Sequence, residues 1–111
     1  MDREQRKKLQ QRYSERRVVG GVYAIKNAAD GKMLLLSTLD MPGSMNRFSF
    51  AVQTGGCVHP KLRDEWGKAE FTIEVIEELV KKEEQSDKDF AREIEALYEL
   101  TAERFSSDQL Y

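Results

Sequence analysis

The chain has 111 residues, 40 % of them apolar and 34 % charged, with a net charge of −2. This suits one domain with a modest core and does not suit a protein coated in basic surface. A lone cysteine, Cys57, excludes an intramolecular disulfide, a single histidine beside it makes a poor zinc set, and no apolar run approaches a membrane span.

The first segment, DREQRKKLQQRYSERR, is rich in helix formers and carries Asp2/Arg6 and Glu4/Lys8 at i,i+4. It predicts a basic N-terminal helix over residues 1–18 with a thin apolar stripe of Leu9 and Tyr13. Being charged from the start, it is unlike a signal peptide, so the expected location is cytoplasmic, with no membrane partner. Gly20-Gly21 ends this helix and opens a strand, VYAIKN, with Tyr23 and Ile25 on one face and Val22 and Ala24 on the other. Asp30-Gly31 is a favoured hairpin turn. MLLLST then returns antiparallel, and its three leucines on alternating faces predict a strand covered on both sides, hence central.

MPGSMNRFSFAV predicts a short helix with Ser44 as N-cap and Met45, Phe48 and Val52 at helical spacing, broken by Gly55-Gly56. His59-Pro60 starts another helix, anchored inward by Leu62 and Trp66. AEFTIEVIEEL alternates as a third strand with one wet face. KKEEQSDKD is a charged loop. DFAREIEALYELTAERF closes the order with Phe90, Ile94, Leu97, Thr101 and Phe105 on one helical stripe. The expected architecture is α+β, a three-stranded antiparallel sheet flanked by helices. A domain over residues 19–106 follows the N-terminal helix, and residues 107–111 form a tail.

Charge is unevenly placed along this order. Residues 1–17 hold seven Lys/Arg against three Asp/Glu, for +4; residues 77–111 hold five against eleven, for −6. The basic arm, with Arg3, Arg6, Lys7, Lys8, Arg12, Arg16 and Arg17, suits a nucleic-acid backbone. The same gradient also arises where two amphipathic helices have different solvent faces.

Three stretches, in order, resemble the GIY-YIG nuclease family from about Gly21 to Phe105. GVYAIKN with DGK is similar to the family's first motif, HPKLRDEWGKAEFTIEVIEEL to its middle helix and third strand, and EALYEL to its last helix. The resemblance implies hydrolysis of nucleic-acid phosphodiesters, mostly DNA, with Mg²⁺ or Mn²⁺ as cofactor. It implies Tyr23 as the residue that helps activate water, an arginine that stabilises phosphoryl charge, and one glutamate that holds the metal. Such chemistry rests on positioning and charge neutralisation, which a hard cation and a guanidinium provide.

The carry-over is incomplete. Leu34-Leu35-Leu36 occupies the second motif, so Leu34 stands where a second tyrosine is expected, and the motif's glycine is absent. Spacing from Ser37 puts the arginine position at Ser44, and Arg47 fills it if Pro42-Gly43 is an inserted loop. Glu95 is the matched metal ligand, because Tyr98 then takes the aromatic place; Glu93 is the alternative, and both flank the apolar stripe equally. His59, beside Lys61 and Arg63, either starts a helix or touches phosphate.

Each residue also has a plainer role. Tyr23 packs well in a half-buried strand, Arg47 and Glu95 suit exposed helix surface, and Trp66 suits a core. Two functions are therefore expected from these residues. One is a metal-dependent endonuclease with a degenerate site, using Tyr23, Arg47, His59 and Glu95. The other is a non-catalytic module on the same fold that binds nucleic acid, or that binds a protein or itself through its first or last helix.

Overall fold

The structure is a computed structural model that describes residues 17–111, so the expected N-terminal helix lies outside the described residues. It is an α+β arrangement of a three-stranded antiparallel sheet and two helices. Strand β1 spans Val19–Asn27, β2 Met33–Thr38 and β3 Phe71–Val80, in the order β2-β1-β3. Helix α1 (Met41–Thr54) lies between β2 and β3 in sequence, and α2 (Asp87–Ala102) follows β3. Single 3₁₀ turns occupy Pro60–Leu62 and Ser107–Gln109.

Alternation along β1 divides the core in two. Ile25 packs with Leu34, Phe48, Leu62 and Phe71 under α1, with Tyr23, Leu36 and Trp66 at its margin. Val22 and Ala24 pack with Met33 and Leu35 under α2, against Leu97, Tyr98 and Ala102. Each large side chain buried here contributes about 1.5–3 kcal/mol. The Trp66 ring stacks on Phe71 (5.0 Å between centroids, 18°) and meets Phe48 edge-on (6.1 Å, 89°), each pair worth about 1 kcal/mol beyond burial.

The three leucines of β2 are covered on both sides as expected, yet β2 is an edge strand and β1 is the central one. Coverage comes from a helix on each face and needs no second neighbouring strand. The hairpin turn falls at the expected place but uses four residues, 28–31, closed by Asn27 N–H to Lys32 O and Gly31 N–H to Asn27 O, both 2.8 Å.

Helix α1 begins earlier than expected. Its N-cap is Asp40, whose carboxylate accepts the Gly43 N–H (3.2 Å), so Ser44 lies within the helix and Pro42-Gly43 forms its first turn. The inward stripe is Met41, Ser44, Phe48 and Ala51, which leaves Val52 exposed. The His59-Pro60 helix is reduced to one 3₁₀ turn, with Leu62 fully buried as its anchor. Helix α2 is capped by Ser86 and buries Phe90, Ile94 and Thr101.

Gly20 and Gly21 are strand residues where two layers meet closely. A Cβ at Gly20 would lie 3.0 Å from the Phe90 ring and 3.1 Å from the Ile94 side chain, so its absence lets α2 settle on β1. Gly21 has φ +148°, and a Cβ there would lie 2.0 Å from Glu77 O. Beside it the pairing with β3 shifts between Val22 and Tyr23, a bulge-like irregularity. The outer edge of β3 pairs with no strand among the described residues, and its exposed positions include Glu74 and Glu78.

Residues 107–111, expected as a tail, join the fold. Leu110 bridges Met33, the Tyr111 N–H donates to Met33 O (2.9 Å), and the Tyr111 ring packs against the α1-side core. Its hydroxyl donates to Glu65 Oε2 (2.6 Å) and accepts from the Asn27 amide (3.0 Å), which also donates to Glu65. Asn27 is 2 % exposed, so this triad satisfies a polar group that would be costly to bury alone. Burial, together with the Glu65 carboxylate it faces, pushes the Tyr111 phenol up to about 12 from an ordinary 10.0, against a smaller downward pull from Asn27.

Gly21→Ala is expected to destabilise the fold by roughly 3 kcal/mol, read as a lower urea midpoint, because backbone strain and a carbonyl clash coincide there. Tyr111 favours the fold as a neutral phenol, so its contribution is complete below pH 10 and lost as pH rises from 10 toward 12. Urea midpoints measured across that window should fall more steeply for the native chain than for Tyr111→Phe.

Candidate functional site

A hollow of about 380 Å³ opens between the sheet, α1 and the segment that follows α1. Tyr23, Ile25 and Leu36 come from the sheet; Ser44, Arg47, Phe48, Phe50, Ala51 and Thr54 come from α1; Gly56, Cys57 and Val58 close the far side. Tyr23 and Arg47, expected to act together, share this hollow. Register decides what faces Tyr23. Leu36 is its cross-strand partner, whereas Leu34 pairs with Ile25 and is 4 % exposed beneath α1. The residue standing at the second tyrosine position is thus core, and an aliphatic side chain occupies the place opposite the phenol.

Helical geometry brings Arg47 to the hollow. Ser44 and Arg47 are one turn apart, and Arg47 Nη2 donates to Ser44 Oγ at 2.9 Å. Ser44 in turn donates to Thr38 Oγ1 (2.8 Å), and Thr38 accepts the Asp40 N–H (3.0 Å). Pro42-Gly43, expected as an inserted loop, forms the first turn of α1, and Ser44 and Arg47 share one side of that helix. This relay ties the guanidinium to the end of β2. It uses one of five N–H donors; no carboxylate forms an ion pair with Arg47 among the described residues, although Asp40 Oδ2 and Arg47 Nη1 lie 2.1 and 3.4 Å from the one point a Gly43 Cβ would occupy. The Tyr23 hydroxyl likewise has no hydrogen-bond partner among the described residues.

The other expected site residues are elsewhere. His59 is half-buried at the start of the 3₁₀ turn, where Nδ1 accepts the Lys61 N–H (3.2 Å). With Cys57, Val58, Pro60 and Arg63 it lines a smaller hollow of about 130 Å³ that shares Cys57 and Val58 with the larger one. The Cys57 thiol donates to His59 O (3.0 Å). Glu95 and Glu93 are exposed on α2, which packs on the opposite face of the sheet from Tyr23 and α1. Glu93 faces an open groove with Lys82, Glu83, Glu84, Gln85, Asp89 and Arg92. Arg17 is exposed just before β1, at the end of the sheet where the Lys81 N–H reaches Val18 O, and is not a wall of the hollow. Arg3, Lys7, Lys8, Arg12 and Arg16 lie outside the described residues.

These placements decide what the hollow can hold. None of its lining residues is acidic, and no cluster of three His, Cys, Asp or Glu that could hold a metal ion occurs among the described residues. A Mg²⁺ or Mn²⁺ ion needs carboxylate oxygens, so the residues around Tyr23 and Arg47 do not fit one. An anion fits better, because the site offers a guanidinium with donors to spare and the Tyr23 hydroxyl, while the Ser44 and Thr54 hydroxyls already donate to Thr38 Oγ1 and Phe50 O. Sequence reasoning missed one local signal. Residues 41–63 contain Arg47, Lys61 and Arg63 and no Asp or Glu, and this segment supplies all of the smaller hollow's lining and, with Tyr23, Ile25 and Leu36 of the sheet, the larger one's. It also missed Phe50, which is 67 % exposed on the rim.

No helix among the described residues is long and apolar enough to cross a membrane. Comparisons with family models, with curated proteins and with solved structures find no match to this chain.

Because Glu95 and Glu93 are solvent-facing and remote from the hollow, Glu95→Ala and Glu93→Ala are expected to change stability by no more than about 0.5 kcal/mol. Adding Mn²⁺ should leave the thermal midpoint of the native chain and of both variants unshifted. A metal-dependent rise that either substitution removes would contradict this.

Proposed function

We propose that this chain is a divergent GIY-YIG-like module that binds the phosphate backbone of nucleic acid without hydrolysing it. The observation that carries the reading is the make-up of the hollow: a phenol and a donor-rich guanidinium line it together, with no carboxylate among its described lining residues. A guanidinium matches a phosphate geometrically and keeps its charge at every accessible pH. The Tyr23 hydroxyl and the low-dielectric wall of Leu36, Ile25 and Phe48 strengthen that attraction relative to water. Hydrolysis asks for more. Phosphoryl transfer to water needs the developing charge neutralised and the attacking water activated, and the aliphatic Leu36 opposite Tyr23 supplies neither. The basic segment at residues 1–17 would add long-range attraction of the same sign.

The convergence of Tyr23 and Arg47 also favours a second reading, a metal-dependent endonuclease acting on DNA, in which Glu95 would have to be replaced by another metal ligand. Two measurements separate the readings. In fluorescence anisotropy, a labelled oligonucleotide should bind with an affinity that falls steeply with salt. Arg47→Ala should weaken it about tenfold and lower the salt slope by about one. Supercoiled plasmid incubated with Mg²⁺ or Mn²⁺ should stay intact. Nicking that Tyr23→Phe abolishes would establish the enzyme instead, and absence of binding at low salt would remove the backbone-binding reading.

A further inference from the structure

We infer that the hollow takes single-stranded nucleic acid, holding an unstacked base against Phe50 while Arg47 and Arg63 take successive backbone positions. The inference deepens the reading just given and rests on it. Arg47, Phe50 and Thr54 follow one another at i, i+3 and i+7 and so run in a line along one side of α1. Phe50 is the most exposed of the large apolar side chains described, and it takes part in neither of the ring pairs that organise the core. An aromatic ring held in water on the rim of a cationic hollow has the two parts a single strand needs, a stacking surface and a phosphate partner.

The second hollow extends this track. It meets the first at the shared Cys57–Val58 wall and carries its own cation, Arg63, with His59 beside it. Concavity then selects among nucleic acids. A duplex is convex, keeps its bases stacked inside and offers a small hollow only its phosphates. A single strand can turn a base inward. The residues from 41 to 63 include three cations and no acid, with Asp40 and Asp64 at the two ends of this stretch. The acidic stretch from 77 to 111 falls largely on the α2 side.

The test compares a labelled oligothymidylate with a duplex of equal length at low salt. The single strand should bind at least about tenfold more tightly. Phe50→Ala should weaken single-strand binding about tenfold and leave duplex binding unchanged, while Phe50→Tyr keeps the affinity. The ring is exposed, so circular dichroism and thermal midpoints of both variants should match the native chain. Equal binding of strand and duplex, or indifference to Phe50→Ala while Arg47→Ala still weakens binding, overturns this inference and leaves backbone binding standing. If neither oligonucleotide binds, or an acidic peptide occupies the hollow and no oligonucleotide displaces it, both readings fall.

Discussion

Strand β1 lies between two edge strands with a helix on each face, so its alternation assigns every side chain on it to one of two separate compartments. Val22 and Ala24 belong to the α2 side; Tyr23 and Ile25 belong to the α1 side. A slip of one residue would exchange these sets. The close approach at Gly20 and Gly21 resists such a slip, because only glycines fit beneath α2 and against the Glu77 carbonyl. Tyr23 can reach the hollow only while that register holds. The position of the phenol is therefore a property of the sheet as a whole, beyond its own local contacts.

The two compartments also differ in charge. Residues 77–111 carry eleven of the twenty acidic groups, whereas residues 41–63, over the other face, carry three cations and no acid. A net charge of −2 averages over this division and hides it. Field lines from Arg47 and Arg63 act close to their own face, since screening limits their reach to about 10 Å in ordinary salt. A phosphate approaching the hollow meets the local sign before the global one. The same division separates Glu95 and Glu93 from Tyr23, and that separation, more than any missing residue type, distinguishes the hollow from a metal-ion site.

Much of the fold was legible in the sequence because its signals are local. Period-two alternation in VYAIKN and FTIEVIEEL, the Asp30-Gly31 turn and the stripe from Phe90 to Thr101 each name an element by themselves. What escaped depended on three-dimensional context. The leucines of β2 report covered faces, which a helix on each side provides as well as two strand neighbours would. Ser44 is a good cap by type, but Asp40 stands earlier and can accept the Gly43 N–H, which moves the start of α1. That shift puts Ser44 inside the helix, one turn before Arg47 on the same side. The packing of Tyr111 was hidden because its partners, Asn27 and Glu65, are remote in sequence. The face assigned to Glu95 was equally invisible, since the amphipathic stripe fixes which side of α2 points inward but not which side of the sheet receives it.

The outer edge of β3 runs ten residues with unpaired backbone groups among the described residues. Bare sheet edges invite neighbouring molecules to add strands, and carboxylates along them are a common deterrent. Glu74 and Glu78 stand on this strand, beside an irregularity that distorts the ribbon. A second copy adding its own β3 to this edge would bring like-charged carboxylates together, so the charges that disfavour a polyanion on this side also disfavour strand addition there.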